Sequence, residues 1–463
     1  MMTIEEQQAL LNKLELQSKQ LEKCFEQIRE LTAKVDLLTK ENQKLSHKKN
    51  SKNSSLPPSG DITRKSKSLR TKSNRPTGGQ PGHMGHTLTP NFPVTKTTIL
   101  KSSVCRTCGT SLSEEDFTLH SVRKVIDFVP PPPEHHEYQQ YRCTCPHCNL
   151  TQTADFPANV TAPVQYGDTV HALVSYLSVY QHIPFKRMTQ MLTDVFRISL
   201  SEGTVRNILN RSARRAMPVY NQIKMNILKA FVVGSDETGA KVNGLKWWVW
   251  IWQTITDTFI AISKSRGYEA ILNLFENGFE NAVLVSDRWA AQLKTVAHNH
   301  QICLAHLLRD IIFVEEIEKS DFIEMLKTFV LEIFRYKRDM KEKPQENSSE
   351  VQSFEDTLHR IVALTISEKN HPHAHKFQKA VIKVRGYILP CIYDPAIPPD
   401  NNGSERGIRN VKVKQKVSGQ FKSGQEDFCI LRSVIDTLVK RRHSVFDMLC
   451  QIMSLSPRPV AAT

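Results

Sequence analysis

Phe231–Gly239 reads FVVGSDETG, and Ala282–Ala291 reads AVLVSDRWAA. Each opens on a short apolar run of the kind that becomes a buried strand, and each run ends on an acid: Asp236 after FVVGS, Asp287 after AVLVS. An unpaired carboxylate at the end of a buried strand is costly. Two of them brought together repel unless a cation lies between, and carboxylate oxygens suit Mg²⁺ or Mn²⁺. Two such ions about 3.5–4 Å apart can activate an attacking hydroxyl and stabilise a leaving oxygen on phosphorus. Completing both coordination shells takes a further acid. Glu405 is the candidate, within DNNGSERGIRNVKVK (Asp400–Lys414), on a helix expected to start near Asn401–Asn402. Arg406, Arg409, Lys412, Lys414 and Lys416 follow it. Arg409 and Lys412 lie about one and two turns beyond Glu405, on or near its face, where cations can hold a phosphate backbone. Three acids among 47 are weak grounds alone, since Glu237, Asp257, Asp310, Asp394 and Asp400 compete.

Around these acids the pattern from residue 229 is α/β. Strands are expected at Phe231–Ser235, Lys246–Gln253, Thr258–Ser263, Ala282–Ser286 and Gln301–Leu304. The short turn Thr254–Asp257 makes the second and third an antiparallel pair. A helix at Tyr268–Glu276 precedes the fourth. Residues 305–380 read as helical with a charged break at Lys341–Glu350, and helices resume at 402–416 and 425–441.

Upstream, residues 166–215 read as three helices, broken at His182–Pro184 and Arg197–Ser199, with Ser201 as the N-cap of the third. Short turns between compact helices suggest a helix-turn-helix-like DNA-binding region over about 160–220. Its candidate DNA contacts are Arg206, Asn207, Asn210 and Arg211. Before it, residues 93–155 hold Cys105-x-x-Cys108 and Cys143-x-Cys145-x-x-Cys148. Two Cys-x-x-Cys knuckles have the spacing of a Cys₄ zinc ribbon. Cys105, Cys108, Cys145 and Cys148 are the expected Zn²⁺ ligands, with Cys143 a possible substitute in the second pair. Residues 47–92, rich in Ser, Asn, Pro, Gly and Lys, are expected to form a basic, flexible arm and not merely a solvated linker, with Lys65, Lys67, Arg70 and Lys72 as candidate contacts to DNA backbone. Residues 1–46 carry a heptad seam: Leu14, Leu21, Ile28 and Val35 in one set, Leu10, Leu31, Leu38 and Leu45 in the other, with Gln17 and Cys24 interrupting the second and Asn42 falling on the first. That predicts a homo-oligomeric coiled coil.

The net charge of +15 over 463 residues suits a polyanion such as DNA or RNA, and anionic membrane less well. No apolar run approaches the roughly 18 residues that span a bilayer. The N-terminus, MMTIEEQQALLNKLELQ, is acidic and polar where a signal peptide is basic then apolar. Together these predict a cytoplasmic protein. Ten cysteines are no disulfide scaffold in so long a chain, and their close pairs point to metal.

From end to end the chain resembles transposases of the insertion sequence 66 family. The resemblance rests on the zipper, NSKNSSLPPSGD, GGQPGHMGH, the knuckle cysteines, DETG at Asp236, VSDRWAA at Asp287, QICLAHLLRD at Gln301–Asp310, NNGSERGIR at Asn401–Arg409 and FKSGQEDFCILRSVIDT at Phe421–Thr437. It implies a DDE-type catalytic core of ribonuclease H-like fold over about 229–416, with a helical insertion at about 311–390 and a C-terminal helical region at 417–463. The insertion accounts for the 118 positions (405 − 287) between the second and third acids, against 51 (287 − 236) between the first two. It assigns Asp236, Asp287 and Glu405 to two catalytic Mg²⁺ (or Mn²⁺) ions. It further implies binding to the element's ends and to target DNA, metal-dependent strand cleavage and strand transfer, a bacterial cytoplasm with the nucleoid as the place of action, and small accessory proteins from the same element. Leu304 departs from the family's usual Trp, and Cys143 is one cysteine more than a simple knuckle needs. Cys303 and His306 recur in the family's motif and read as packing and hydrogen bonding beneath the acids, in preference to a second metal site. Two rivals stand beside this reading. One is a DNA-binding regulator derived from an inactivated transposase, which intact acidic motifs argue against. The other is a nuclease or resolvase that cuts without joining.

Overall fold

A five-stranded mixed sheet organises the computed structural model, which describes residues 17–35, 38, 82, 84, 93–128, 130, 132–342 and 348–455. In chain order the elements are α1 (17–35), β1 (Arg142–Thr144), β2 (Thr151–Thr153), α2 (Asp168–Ser175), α3 (Phe185–Phe196), α4 (Glu202–Leu228), β3 (Val232–Val242), β4 (Leu245–Gln253), β5 (Thr258–Ser263), α5 (Tyr268–Leu272), β6 (Phe279–Ser286), α6 (Ala290–Leu293), β7 (Ala297–Ile302), α7 (Leu304–Ile317), α8 (Asp321–Glu342), α9 (Ser348–Val362), α10 (Pro372–Lys383), α11 (Pro390–Tyr393), α12 (Asn402–Ser418), α13 (Gln425–Lys440) and α14 (Val445–Ser454). Two units divide the chain: Met1–Arg64 with Tyr138–Gln190 and Leu200–Thr463, and Lys65–Glu137 with Met191–Ser199.

The sheet order is β5-β4-β3-β6-β7. β3, β4 and β5 form an antiparallel meander; β6 and β7 run parallel to β3. The expected hairpin at Thr254–Asp257 is present. A second joins β3 to β4 at Asn243-Gly244, whose φ values are 48° and 80°. An Asn-Gly pair with both residues at positive φ makes a tight two-residue turn whose twist matches the flanking strands. That turn carries β3 on to Val242, so Asp236 sits in mid-strand, where a strand ending at Ser235 was expected.

Side chains alternate across the sheet. One face carries Trp250, Trp252 and Phe259, and Tyr220 of α4 stacks on Phe259 at 4.6 Å between ring centroids. α4 runs on past the 215 expected from sequence. Pro218 removes one helical N–H, but Ile223 and Ile227 beyond it are buried, and that packing sustains the helix. Helices α7 to α11 bury a cluster of their own, including Leu307, Ile311, Phe322, Phe329 and Ile361, which runs on into Ile302 and Val283 of the sheet.

The open edge of β5 is closed by α13. The N–H groups of Thr258 and Ile260 donate to Thr437 Oγ1 (3.0 Å) and Ser433 Oγ (2.8 Å). Four residues of helix advance about 6 Å and two residues of strand about 6.7 Å, so the two rows stay in step. Ser433→Ala and Thr437→Val keep the shape and strand two buried N–H groups. Each should cost about 1–3 kcal/mol in urea unfolding; a midpoint equal to wild type for both would show that water replaces the hydroxyls.

Candidate active site

Strand register sets the two aspartates level. Val232 lies opposite Val283, and Gly234 opposite Val285, an offset of 51 (283 − 232) that Asp236 and Asp287 share (287 − 236). Asp236 therefore projects from the same face as Gly234 and Ile251, its partner on β4. α12 lies on that face. A Cβ on Gly234 would come within 2.6 Å of Ser404 Oγ, and one on Gly407 within 2.5 Å of Ile251 Cδ1. Asn401, just before α12, donates from Nδ2 to the Ser235 carbonyl (2.6 Å) and accepts from Ser404 Oγ (2.6 Å); Gln253 donates to that hydroxyl (3.1 Å). Glu405, in the first turn of α12, is thereby delivered beside the aspartates.

The electrostatics record the gathering. Burial pushes the Asp236 carboxyl well above its usual range, and the charges of Glu237, Asp287 and Glu405 add to the effect. Asp236 accepts the Glu237 N–H (2.9 Å), and Asp287 accepts that of Trp289 (2.9 Å). Glu405 Oε1 is buried without a hydrogen-bond partner, 3.6 Å from His306 Nε2 and 3.9 Å from Arg309 Nη1. Three converging carboxylates, one with an orphaned oxygen, fit hard divalent ions.

Among the described residues, the group whose ligand atoms all lie within 4.8 Å of one another is Cys303, His306 and Glu405, a sulfur, a nitrogen and an oxygen, and not the three acids, which stand further apart. The sulfur is already engaged: Cys303 Sγ accepts the Asn401 N–H at 3.2 Å, and burial pushes the thiol up to about 11. Leu304 N–H donates to the Pro399 carbonyl (2.9 Å). Cys303 and Leu304 thus tie the start of α7 to the start of α12, the role expected of Cys303, whereas His306 leaves its buried Nδ1 without a hydrogen-bond partner. Glu237 faces the other way. Its buried carboxylate receives Arg266 (2.6 and 3.0 Å) and Gln292 (2.6 Å), and Arg266 stacks on Trp289 at 3.8 Å.

A family model described as Transposase IS66 family matches residues 163–426, more than half of the chain, from ahead of α2 into α13. The chain belongs to the IS66 family of transposases. No curated protein matches it. The matched span takes in Asp236, Asp287 and Glu405 and leaves out α1 and every knuckle cysteine.

The transposase's expected DNA contacts divide sharply. Arg206 and Asn210 both turn to Asp427 at the start of α13, Arg206 as an ion pair and Asn210 at 3.2 Å. Lys412 donates to the Gly239 carbonyl (3.1 Å). The three share a pattern: a polar side chain on a helix meets an acid or carbonyl on an element far away in sequence. Asn207, Arg211 and Arg409 remain exposed, and Arg214, which the sequence reading passed over, continues the stripe of Asn207 and Arg211 at helical spacing. Lys65, Lys67, Arg70 and Lys72 lie outside the described residues.

Each knuckle has the same turn. Cys105 N–H donates to Thr110 O and Gly109 N–H to Cys105 O; Cys145 N–H donates to Leu150 O and Asn149 N–H to Cys145 O. Gly109 and Asn149 take positive φ, 75° and 55°. Hydrogen bonds from Thr110 and Cys105 lower the Cys108 thiol to about 7, and the Cys148 and His147 N–H groups lower Cys145. Cys143 instead lies in β1, paired with Gln152. Among the described residues, no helix is long and apolar enough to cross a membrane.

Crowded carboxylates destabilise the metal-free protein. Asp236→Asn should raise its melting temperature at pH 7, by roughly 2–4 °C per kcal/mol of repulsion relieved. Millimolar Mg²⁺ or Mn²⁺ should raise the wild-type value and leave the variant's nearly unchanged. Thermal scans read both, and a variant that melts below wild type would mean that the acid holds the fold together.

Proposed function

We propose that this transposase is of the DDE type: Asp236, Asp287 and Glu405 hold two Mg²⁺ or Mn²⁺ ions, and the enzyme cleaves DNA at the ends of its element and joins the freed 3′-hydroxyl to target DNA. The observation that carries this is the shared register of Asp236 and Asp287 on adjacent parallel strands, with Glu405 brought over the same face by α12. An acid on the central strand and another on its parallel neighbour support a ribonuclease H-like core. Divalent ions bound there supply Lewis-acid activation of the attacking hydroxyl and stabilise the leaving oxygen. The chain's own part is to hold the oxygens still. Asp236 and Asp287 each fix one oxygen on a backbone N–H, and Glu405 keeps Oε1 unsatisfied by protein. His306 and Arg309 flank that oxygen and limit its swing. Arg409, exposed one turn beyond Glu405, is placed to hold the DNA backbone.

The other parts of the reading follow the chain. The helix 17–35 exposes Leu21, Ile28, Leu31 and Val35, which supports a coiled coil between copies of this chain. The arm at 47–92 supplies salt-sensitive, sequence-independent affinity. The two matched knuckle turns support one structural Zn²⁺ on Cys105, Cys108, Cys145 and Cys148. The helices α2 to α4, with Asn207 and Arg211 outward, serve recognition of the element's ends. The site of action is the bacterial cytoplasm, with the nucleoid, and small accessory proteins of the same element assist.

Asp236→Asn, Asp287→Asn and Glu405→Gln should each lower cleavage of end DNA on the order of 10³-fold while binding stays near wild type. Near-normal cleavage by one of them removes that residue from the site. Purified protein should carry about one zinc by elemental analysis, and Cys108→Ser should release it and open residues 105–148 to protease. A metal-free protein with an unchanged digestion pattern there rules the zinc out.

A further inference from the structure

A cavity of about 340 Å³ opens between the turn before α3, the start of α4, the end of α12 and the loop that leads into α13. Phe185, Phe421 and Phe428 line it, so much of its wall is apolar. Four cations stand around it, Lys186, Arg206, Lys414 and Lys422, against two acids, Glu202 and Asp427. Asp427 is already taken by Arg206. Lys186 and Lys422 are exposed, but Lys414 is half-buried, and burial holds its ammonium below its usual range. Among the described residues no carboxylate forms an ion pair with Lys414; its Nζ instead lies 5.7 Å from the centre of the Phe185 ring. A half-buried ammonium without a counter-ion is an expensive arrangement. It is explained if the cavity ordinarily receives an anion.

The chemistry narrows that anion. A bare phosphate would satisfy the lysines and leave Phe185, the one of the three rings that is not buried, without a partner on its open side. A nucleotide satisfies both, its phosphate on the lysines and its base against a ring. In a duplex the base faces are covered by their neighbours, so only an unpaired strand offers a face to Phe185. The cavity is also separate from the acids. Lys414 lies nine residues after Glu405 (414 − 405) on α12. At about 100° per residue that is half a turn away, on the opposite flank of the helix.

We propose that this cavity is a second DNA site, which takes one nucleotide unit of single-stranded DNA. The assignment rests on the DNA-processing reading above. The base packs on Phe185, and Lys414, Lys186 and Lys422 receive the backbone phosphates. Unpaired strands arise wherever a cut end frays, and a pocket of this kind would hold one clear of the metal site.

The test uses the full-length protein and three probes: a fluorescein-labelled strand of ten thymidines, a random-sequence duplex of similar length, and thymidine monophosphate as competitor. Lys414→Gln and Phe185→Leu should each weaken the single strand about ten-fold, as expected for loss of one stacked and phosphate-anchored nucleotide. Duplex affinity should change less than two-fold. Lys422→Gln, at an exposed position where substitution is expected to leave folding intact, should weaken the strand two- to five-fold, which keeps the test decisive if the other variants fold poorly. Strand affinity equal to wild type in all three variants overturns the assignment while leaving the transposase reading intact. A wild-type protein that binds neither strand nor duplex overturns both. Displacement of the strand by micromolar thymidine monophosphate would give the cavity to a free nucleotide and overturn the strand.

Discussion

The close approach of α12 to β3 and β4 is the contact on which the site depends. Two of the three acids come from neighbouring strands, and their register alone puts them level. The third arrives from a helix 118 residues later, so its position is only as good as that helix's seat (405 − 287). The seat is made by absent side chains. Gly234 on the strand and Gly407 on the helix leave room that a Cβ would fill. Asn401 then fixes the helix start by one hydrogen bond to β3 and another to Ser404, and Cys303 receives its N–H from below. Five residues from three separate stretches of sequence, Gly234, Cys303 and the 401–407 segment, thus fix one carboxylate, and all sit on regular elements or at their ends, where side-chain placement is most accurate.

Much of this was legible in the sequence. The acids stand after apolar runs, the Thr254–Asp257 turn announces a hairpin, and Ser201 caps α4 through the Thr204 N–H at 3.0 Å. These signals are local. The misplaced end of β3 was also a local matter, because the Asn243-Gly244 pair that closes the hairpin was there to be read. The protein partners of Arg206, Asn210 and Lys412 were not. Asp427 lies more than two hundred positions from Arg206, and nothing near Lys412 names the Gly239 carbonyl as its partner. A helix pattern shows which side chains leave the core, but not what meets them there.

Asp236 and Glu237 show how far one peptide step can separate two acids. Both are pushed up by burial. Glu237 sits on the tryptophan face, where Arg266 and Gln292 satisfy both its oxygens, and Arg266 is in turn held between Trp248 at 4.7 Å and Trp289 at 3.8 Å. Asp236 sits on the α12 face with other acids for company. A closed hydrogen-bond set makes a charge structural; an open one leaves it available to a ligand. Arg266 and Gln292 come from either side of β6, so the Glu237 cluster also braces the turn that carries Asp287, whose neighbour Trp289 donates its indole N–H to the Arg266 carbonyl.

The same distinction sorts the cations, and it decides where the +15 charge can meet DNA. Arg215 is tied to Asp168, Arg432 to Asp436, Arg441 to Asp257, and Lys440 to the carbonyls of the β4–β5 turn. Drawing any of these onto a phosphate would forfeit a formed hydrogen bond and leave an acid or carbonyl exposed to the loss. Arg406, Arg409 and Lys416 on α12, and Arg211 with Arg214 on α4, face solvent. Each follows the last at helical spacing, so each helix shows a row and not a scatter. A hydrated cation gives up little on meeting a phosphate and gains from the counterions it releases. On the described part of the chain, these two rows are the cations that could meet a duplex backbone at the least cost. The row on α12 begins beside Glu405 itself, so on the proposed reading a DNA backbone held there would already lie at the acids.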